Sequence, residues 1–479
     1  MNDGPIRSIV VAGGGVVALS AAAAFARALP QAKVRLIQTA SAPAAVTDLL
    51  PGSQPSIARF HALIGLDEAA VIAAGAATWR IATRYRQWSA SGTDWYHFAG
   101  DCGPRIGSID FHHLWSRAHR EGQARPYHEY AAAGVLAASG KFVMPVDDPT
   151  SPFSRYDYSL RLVPVRYRTL LEGHCDSLGV QRSTGRIAKV VTARDSVETL
   201  QLEDGQSVTG DLYIDCGGPN APLRSSLGGQ IEDWSSVLPV CRIFLDDDVG
   251  EPAAVDTFTR TPAGWEWHSP GASQGRVVGA DEPGDGSILV MPRHLITPWR
   301  SNVLAIGDAA TAIDPLGWYG LCLAHRSIAR ALELLPDRNF RAVELGEYNR
   351  RTAQDAALLR DLTALYFQCP NAPDSPFWRR MRALQPTESL CRTMELFARR
   401  GRLPTRDEDI FGPGHWIAAL IGLGVTPEET DPVAAAIDRG DAAEAMARWA
   451  GGLGAVVRGL PSYHDYLGNT LQRLAPIRN

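Results

Sequence analysis

The stretch SIVVAGGGVVALSAAAAFARAL, residues 8–29, constrains the fold more than any other part of the sequence. A short β-branched run ends in three glycines, an alanine-rich helical stretch follows, and AKVRLIQ then has the pattern of a second strand. Gly13, Gly15 and Ala18 fit the spacing G-x-G-x-x-G/A, in which the glycines let the backbone approach a pyrophosphate at the helix N-terminus. The sequence therefore predicts a β-α-β unit that binds a dinucleotide.

Two further segments favour FAD as that dinucleotide. In AIGDAATAIDPLGWYGLCLA a hydrophobic strand ends in Gly307 and Asp308, and an aspartate at this position typically contacts the sugar-alcohol part of FAD. The simpler interpretation is a common strand-to-helix turn. The segment DLYIDCGGPNAPLR, which contains Gly218, precedes it and makes the combination more specific. The second strand ends in Gln38, where an acidic residue usually holds a ribose hydroxyl and where an amide can still hydrogen-bond.

Composition excludes several classes of function. The chain has 479 residues, of which 45% are hydrophobic and 21% charged, and its net charge is −5 without a basic block, so nucleic acid is not an expected partner. Seven cysteines without a C-x-x-C pair argue against a zinc site and for a reducing cytoplasm. No stretch of about 18 apolar residues predicts a membrane span. We interpret His112-His113 as a solvated helix start, and no metal site is expected.

The order of patterns along the chain predicts the fold class. A β-α-β unit comes first, strands with turns fill about 184–300, and helical patterns dominate from about 340 onward. We expect an α/β protein: a FAD-binding, Rossmann-like fold of the flavin monooxygenase type, with an added β-sheet and a helical C-terminal substrate region. The predicted division assigns residues 1–335 to the FAD-binding region, including the inserted substrate-side sheet, and residues 336–479 to the helical region.

The segment GWEWHSP, residues 264–270, raises a separate question. Trp265 and Trp267 alternate with Glu266, so both rings project to one side of an extended strand. The plain interpretation is a core strand with two large anchors. His268, next to the pair, is a candidate for a proton-handling role, since a histidine beside a buried site titrates easily.

Taken together, these segments resemble the flavin-dependent tryptophan halogenase family nearly from end to end. GWEWHSP is similar to the W-x-W-x-I-P signature, with Ser269 in place of isoleucine, and DWYHFAGDCG is similar to the F-x-H-x-F-G loop. PSIARFHALIGLDEAAVIAAGAATWRIATRYRQW, GDAATAIDPL, DSPFWRRMRAL and LPSYHDYL match further family segments. The resemblance implies a flavoprotein oxidoreductase that takes reduced FAD from a separate flavin reductase, uses oxygen and halide, and acts on a small aromatic, indole-type substrate. It also implies that the tryptophan pair separates the substrate pocket from the flavin.

The chain departs from the family at the two residues that direct the halogen. Arg80 stands at the place of the family's lysine, and Gly317 at the place of its glutamate. Trp318 and Tyr319 replace a Ser-Thr pair, and only Gly320, an expected FAD contact, is kept. Arginine stays protonated in proteins, so it can donate hydrogen bonds but cannot act as a free amine. The candidate catalytic residues are therefore Arg80, Trp265, Trp267 and His268.

Three functions stay open at the level of sequence. The first is a halogenase-type enzyme that still forms hypohalous acid. The second is a flavin oxygenase or oxidase that works without halide. The third is a non-catalytic flavin-binding relative. The sequence also leaves open whether the chain forms a homodimer.

Overall fold

The structure is a computed structural model that describes residues 4–39, 45–89, 92–248, 250–282, 284–368, 372–405 and 409–475. The described strands are β1 (Ser8–Ala12), β2 (Lys33–Gln38), β3 (Ala77–Arg80), β4 (Ala82–Arg86), β5 (Trp95–Gly100), β6 (Tyr156–Asp157), β7 (Ser159–Leu162), β8 (Gln181–Thr184), β9 (Ile187–Ala193), β10 (Ser196–Leu202), β11 (Ser207–Val208), β12 (Leu212–Asp215), β13 (Ile231–Asp233), β14 (Cys241–Asp247), β15 (Val255–Thr261), β16 (Gly264–Ser269), β17 (Ser273–Gly279), β18 (Ile288–Val290), β19 (Arg293–Leu295), β20 (Trp299–Arg300), β21 (Val303–Ala305) and β22 (Thr311–Ala312).

The described α-helices are α1 (Val16–Ala28), α2 (Ile57–Ile64), α3 (Glu68–Ala73), α4 (Phe111–Arg120), α5 (Ala132–Ala138), α6 (Pro164–Ser177), α7 (Pro222–Ser225), α8 (Gly320–Glu333), α9 (Ala342–Phe367), α10 (Pro376–Ala383), α11 (Glu388–Arg400), α12 (Pro413–Gly422), α13 (Pro432–Ala435), α14 (Arg439–Arg458) and α15 (Tyr463–Leu474). No described helix has the length and apolar character needed to cross a membrane.

The first of two compact units comprises Met1–Ala77, Leu160–Phe244 and Ala280–Arg360. Its main sheet has the strand order β20-β21-β12-β1-β2-β8, and all neighbours are parallel except β20 and β21. The middle strands are apolar and buried, as expected for a parallel sheet covered on both faces. Helix α1 lies against α6 and α8, and its run of small alanines allows that close packing.

The second unit comprises Thr78–Ser159, Leu245–Gly279 and Asp361–Asn479. The strands of its sheet that lie wholly within this unit have the order β17-β16-β15-β4-β5-β6, with β4 and β15 parallel and the other pairs antiparallel. Burial alternates along β15 and β16, so every second side chain faces the interior. Helix α12 packs on β5.

These observations confirm the predicted α/β fold with a Rossmann-like sheet, an added sheet and helices at the C-terminal end. The assignment of residues 1–335 and 336–479 to separate regions stays a prediction. One local expectation was wrong: His112 is buried, and its Nε2 donates a hydrogen bond to the carbonyl oxygen of Gly401 at 2.8 Å. The reason is that His112 lies on the apolar face of the amphipathic helix α4.

Candidate functional site

The glycine-rich turn before α1 is shaped by close approach of the chain to itself. Gly13 has φ +155°, and a Cβ atom there would lie 2.7 Å from the carbonyl oxygen of Cys216 and 2.9 Å from the Cβ of Ala18. Only glycine fits this position without displacing the backbone. The turn thus has the compact form that a dinucleotide site requires, and the roles of Gly13, Gly15 and Ala18 in binding stay predictions.

The space in front of Gly15 holds the carboxyl group of Asp48. A Cβ atom on Gly15 would lie 2.0 Å from the Cγ of Asp48, and Asp48 Oδ1 accepts a hydrogen bond from the Val17 N–H at 2.9 Å. Burial of the carboxyl group raises the pKa of Asp48 to about 6, although the hydrogen bond from Val17 opposes the shift. An acidic side chain of the protein therefore lies where the N–H groups of α1 would meet an anionic ligand.

Asp308, the predicted FAD contact, accepts a hydrogen bond from the residue that precedes Asp48. Its Oδ2 accepts a hydrogen bond from the Thr47 N–H at 3.0 Å, and the residue is buried. Burial first, and then the nearby Asp48, raise the pKa of Asp308 to about 7. Gly320 also lies close to Thr47, since a Cβ atom on Gly320 would be 2.5 Å from Thr47 Oγ1.

We name Val46–Gly52 the occluding segment. Its residues Thr47 and Asp48 make the contacts described above, and the segment also covers the loop that precedes α8. A Cβ atom on Gly52 would lie 1.9 Å from the Cγ of Trp318, and Trp318 itself is buried with φ +60°, an uncommon value for a bulky residue. The cavity that remains between the segment and Trp318 has a volume of about 10 Å³. Cofactor sites typically measure roughly 300–1,000 Å³. The occluding segment and Trp318 therefore leave no room for a ligand between them, and Asp48 occupies the space beside Gly15 that a bound dinucleotide would need.

Two other predicted contacts belong to the same unit. Gln38 Nε2 donates a hydrogen bond to Glu172 Oε1 at 3.0 Å, and Arg182 Nη1 donates to Gln38 Oε1 at 3.4 Å, so both ends of the Gln38 amide have protein partners. Gly218 has φ +76° and follows β12, and Gly307 has φ +69° and follows β21. These φ values favour glycine for backbone reasons alone, so the cofactor roles of Gln38, Gly218 and Gly307 stay predictions.

Asp48 and Asp308 should make the stability of the fold depend on pH. An aspartate whose pKa is raised on folding contributes stability below its unfolded pKa of about 3.9, and this is lost as the pH rises through the folded value. For these residues that window runs from about pH 4 to the folded values of about 6 and about 7. The free energy of unfolding should fall across it, and Asp48→Asn should reduce the fall by about 1–3 kcal/mol.

Urea unfolding at pH 5 and pH 8 measures how far the free energy of unfolding falls between the two pH values. Asp67→Asn is the matched control, since Asp67 is an exposed carboxylate that accepts a hydrogen bond from the Ala69 N–H at the start of α3. The control should keep the wild-type pH profile. Identical profiles for wild type and Asp48→Asn would contradict the assignment.

In the second unit, the tryptophan pair lies on the buried face of β16. The side chains of Trp265 and Trp267 are 0% and 2% exposed, and their ring centroids are 5.8 Å apart. Trp267 Nε1 donates a hydrogen bond to Ser273 Oγ at 3.2 Å. Trp267 pairs with Phe258 on β15, Phe258 pairs with Tyr85 on β4, and Tyr85 pairs with Trp95 on β5. One continuous row of aromatic rings therefore crosses four strands.

A row of polar side chains, which we call the polar row, runs beside the aromatic row, and Arg80 contacts it. Asp256 pairs with Thr83, and Thr83 pairs with His97, along β15, β4 and β5. Arg80 Nη1 donates a hydrogen bond to Thr83 Oγ1 at 2.7 Å, and Arg80 Nε donates to Ser159 Oγ at 3.0 Å and lies 3.5 Å from Asp256 Oδ2. Because Arg80 and Asp256 are 6% and 0% exposed, the guanidinium charge is compensated by a buried carboxylate. This geometry suits a fixed hydrogen-bond donor.

His97 completes the polar row as a neutral side chain. Its Nε2–H donates to the carbonyl oxygen of His415 at 3.1 Å, which leaves Nδ1 to accept a hydrogen bond from the Tyr366 hydroxyl at 3.2 Å. Burial, together with the charge of Arg80, lowers the pKa of His97 to about 4, although the hydrogen bond to His415 opposes the shift. The rings of His97 and His415 are 4.1 Å apart, and the pKa of His415 is also lowered by burial. Two neutral imidazoles thus lie close to the buried arginine.

His268 lies on the other side of its strand from the tryptophan pair. Its side chain is 53% exposed, and its Nε2 is 3.0 Å from Asp248 Oδ2. The alternation of β16 that buries Trp265 and Trp267 directs His268 outward. Its proton-handling role stays a prediction, without a buried partner among the described residues to support it.

The only lysine in the sequence of this unit does not take the place of Arg80. Lys141 Nζ donates hydrogen bonds to the carbonyl oxygens of Val457, Arg458 and Leu460, at 3.0, 2.7 and 2.7 Å. Those bonds tie the ammonium group to the end of α14. Among the described residues, no cluster of three or more His, Cys, Asp or Glu side chains has a geometry that could hold a metal ion.

Comparison with known proteins places these features in one family. The sequence model of the family described as tryptophan halogenase matches residues 8–279 and 290–439. BrvH, a flavin-dependent halogenase from Brevundimonas sp. BAL3, is 28% identical with a TM-score of 0.90 over 97% of this chain and 99% of its own. Xcc4156, a flavin-dependent halogenase from Xanthomonas campestris, is 27% identical with a TM-score of 0.89 over 97% and 98%.

A curated relative extends the similarity to a named activity. Tryptophan 7-halogenase KtzQ from Kutzneria sp. (strain 744) is 23% identical over 518 residues, which cover 90% of this chain and 92% of KtzQ. The resemblance predicted from the sequence motifs is confirmed, because the family match spans segments of both compact units. The chain belongs to the tryptophan halogenase family.

Proposed function

We propose that this protein is a FAD-dependent oxidoreductase of the halogenase type that modifies a small, electron-rich aromatic molecule. In this proposal reduced FAD comes from a separate flavin reductase, oxygen is the oxidant, halide is the co-substrate, and the setting is the cytoplasm. The observation that carries the proposal is the family match across both units, together with the retained strand–glycine–helix turn at Gly13.

The buried rows of the second unit support an aromatic substrate class. Phenol and indole rings pack well against aromatic side chains, and Trp95, at the end of the aromatic row, lines a cavity of about 490 Å³. Donors such as Arg80 suit an oxygen or a carboxylate. Arg80 would orient a bound molecule by hydrogen bonding. It would not capture electrophilic halogen, because its guanidinium does not lose a proton in proteins.

A halide-independent flavin oxygenase is the second candidate, and one feature favours it. Gly317 has φ +85°, and a Cβ atom there would lie 2.3 Å from the ring of Tyr319. A carboxylate side chain at position 317 is therefore sterically excluded while Tyr319 stays in place. Position 317 therefore does not supply the acid that the resemblance assigns to directing the halogen.

Mass spectrometry of an aromatic substrate panel tests the proposal. The protein would be supplied with reduced FAD and oxygen, with and without bromide, and halogenated phenols or indoles are expected only in the bromide samples. Oxygenated products in both samples would favour the second candidate. Flavin oxidation without any product from the panel would contradict both.

A further inference from the structure

We infer that the occluding segment, Val46–Gly52, fills the dinucleotide-binding site at the N-terminus of α1, which we call the dinucleotide seat. FAD binds only when the segment leaves this site. Asp48 is the residue that sets the affinity for FAD. The inference rests on the proposed function, because it takes FAD as the ligand. It concerns this chain's own residues and requires no step of the reaction.

The N-terminus of α1 has room for only one anion, either the Asp48 carboxylate or the pyrophosphate of a dinucleotide. Asp48 Oδ1 already accepts from the Val17 N–H, and the Asp48 carboxyl group lies where any atom added to Gly15 would go. A pyrophosphate at the same helix N-terminus would need the same N–H group and the same space. The pyrophosphate would also carry the same sign of charge as the Asp48 carboxylate. Two like charges in contact repel each other strongly in a low-dielectric environment. Asp48 must therefore move before a dinucleotide can bind at this turn.

Several contacts hold the segment in the seat. The Thr47 N–H donates to Asp308, and the Leu162 N–H donates to the carbonyl oxygen of Pro51 at 2.6 Å. Gly52 packs against Trp318, where a side chain would not fit. Because these contacts break when FAD enters, the apparent dissociation constant of wild type is the intrinsic one divided by the fraction of molecules whose seat is open.

Calorimetric titration with oxidised FAD at pH 8 tests the role of Asp48. We expect Asp48→Ala to bind FAD roughly 10–100-fold more tightly than wild type, the scale of one charge-assisted hydrogen bond. Asp48→Asn should show a smaller gain, because its amide oxygen can still accept from the Val17 N–H. Asp67→Ala, which removes a carboxylate that caps α3, is the matched control and should bind like wild type.

The outcomes separate this inference from the proposed function. Equal FAD affinity in wild type and Asp48→Ala would overturn the inference and leave the function standing. Weaker binding by Asp48→Ala would overturn it too, since Asp48 would then hold the cofactor. Absence of saturable binding in every variant would overturn both the inference and the FAD-dependent function.

Hydrogen exchange of the wild-type protein gives a second, independent readout. Ligands usually slow amide exchange at their site. We expect the reverse at the occluding segment: saturating FAD should speed exchange of the Thr47 and Leu162 amides, because both lose their acceptors when the segment leaves. Slower or unchanged exchange at these two amides would overturn the inference.

Discussion

Supplied with reduced FAD, oxygen and chloride, the protein is expected to chlorinate free tryptophan roughly 10²–10⁴-fold more slowly than a relative that carries the lysine and the glutamate. That range is the usual cost of losing one positioned catalytic group, and the loss of two that act together need not multiply. The sequence resemblance predicts that Arg80 stands at the lysine's place, and its side chain is held by Thr83, Ser159 and Asp256. The guanidinium can bind an anion but cannot serve as an amine nucleophile.

A turnover assay with tryptophan, followed by product analysis, measures this rate. Free hypohalous acid that escapes the protein would modify reactive phenols or indoles at several ring positions. Clean halogenation at one position, at rates ordinary for enzymes, would contradict the prediction. It would mean that Arg80, or another group that folds into its place, performs the lysine's work.

Restoring the two residues should not restore the activity. In Arg80→Lys with Gly317→Glu, the new Glu side chain would begin 2.3 Å from the ring of Tyr319, at a backbone φ of +85° that disfavours any residue with a Cβ. Trp318 and Tyr319 are both buried, so the side chains that follow position 317 are already packed. Activity in this double variant would show that the loop around Gly317 adapts more freely than its packing indicates.

Replacing either tryptophan of GWEWHSP by alanine should destabilise the protein by about 3–5 kcal/mol, the usual cost of truncating a buried indole. Trp265 packs against Phe258 with ring centroids 5.2 Å apart and against Trp267 at 5.8 Å, so each truncation leaves a cavity in the aromatic row. The rings share contacts, and the two losses should therefore not add fully in the double variant.

Urea unfolding of each variant at fixed pH measures the loss. Glu266→Ala is the matched control: it lies between the two tryptophans on the exposed face of β16 and should change the free energy of unfolding by no more than about 0.5 kcal/mol. Equal stability of Trp265→Ala and Glu266→Ala would contradict the buried placement of Trp265. The predicted role of the pair as a wall between flavin and substrate is a separate proposal.

Features set by local sequence were predictable, and features set by contacts between distant segments were not. The strand–glycine–helix turn is local, so Gly13 and Gly15 identified it, and the alternation in GWEWHSP predicted that both indoles share one face of their strand. Asp48 gave no such signal. It is 31 residues from Val17, in a stretch without periodicity, and only tertiary packing brings its carboxyl group to α1.

The polar row could have been found in part. Asp256 and Arg260 occupy the same alternating positions of β15 as Phe258, so they point inward with it, and a charged residue at an inward position of a strand is a marker of a buried ion pair or a site. His97 carries the same signal on β5. Their link to Arg80 depends on how β4, β5 and β15 pair, which a single sequence does not specify.

The distance between Asp48 Oδ1 and the Val17 nitrogen, measured in a crystal of the protein grown with FAD, tests directly whether the occluding segment must leave before FAD binds. That distance is 2.9 Å with the occluding segment in the seat. We predict FAD with its pyrophosphate at the N-terminus of α1 and a distance well beyond the hydrogen-bonding limit of about 3.2 Å. FAD bound while Asp48 keeps its hydrogen bond to Val17 would show that the segment does not block the cofactor.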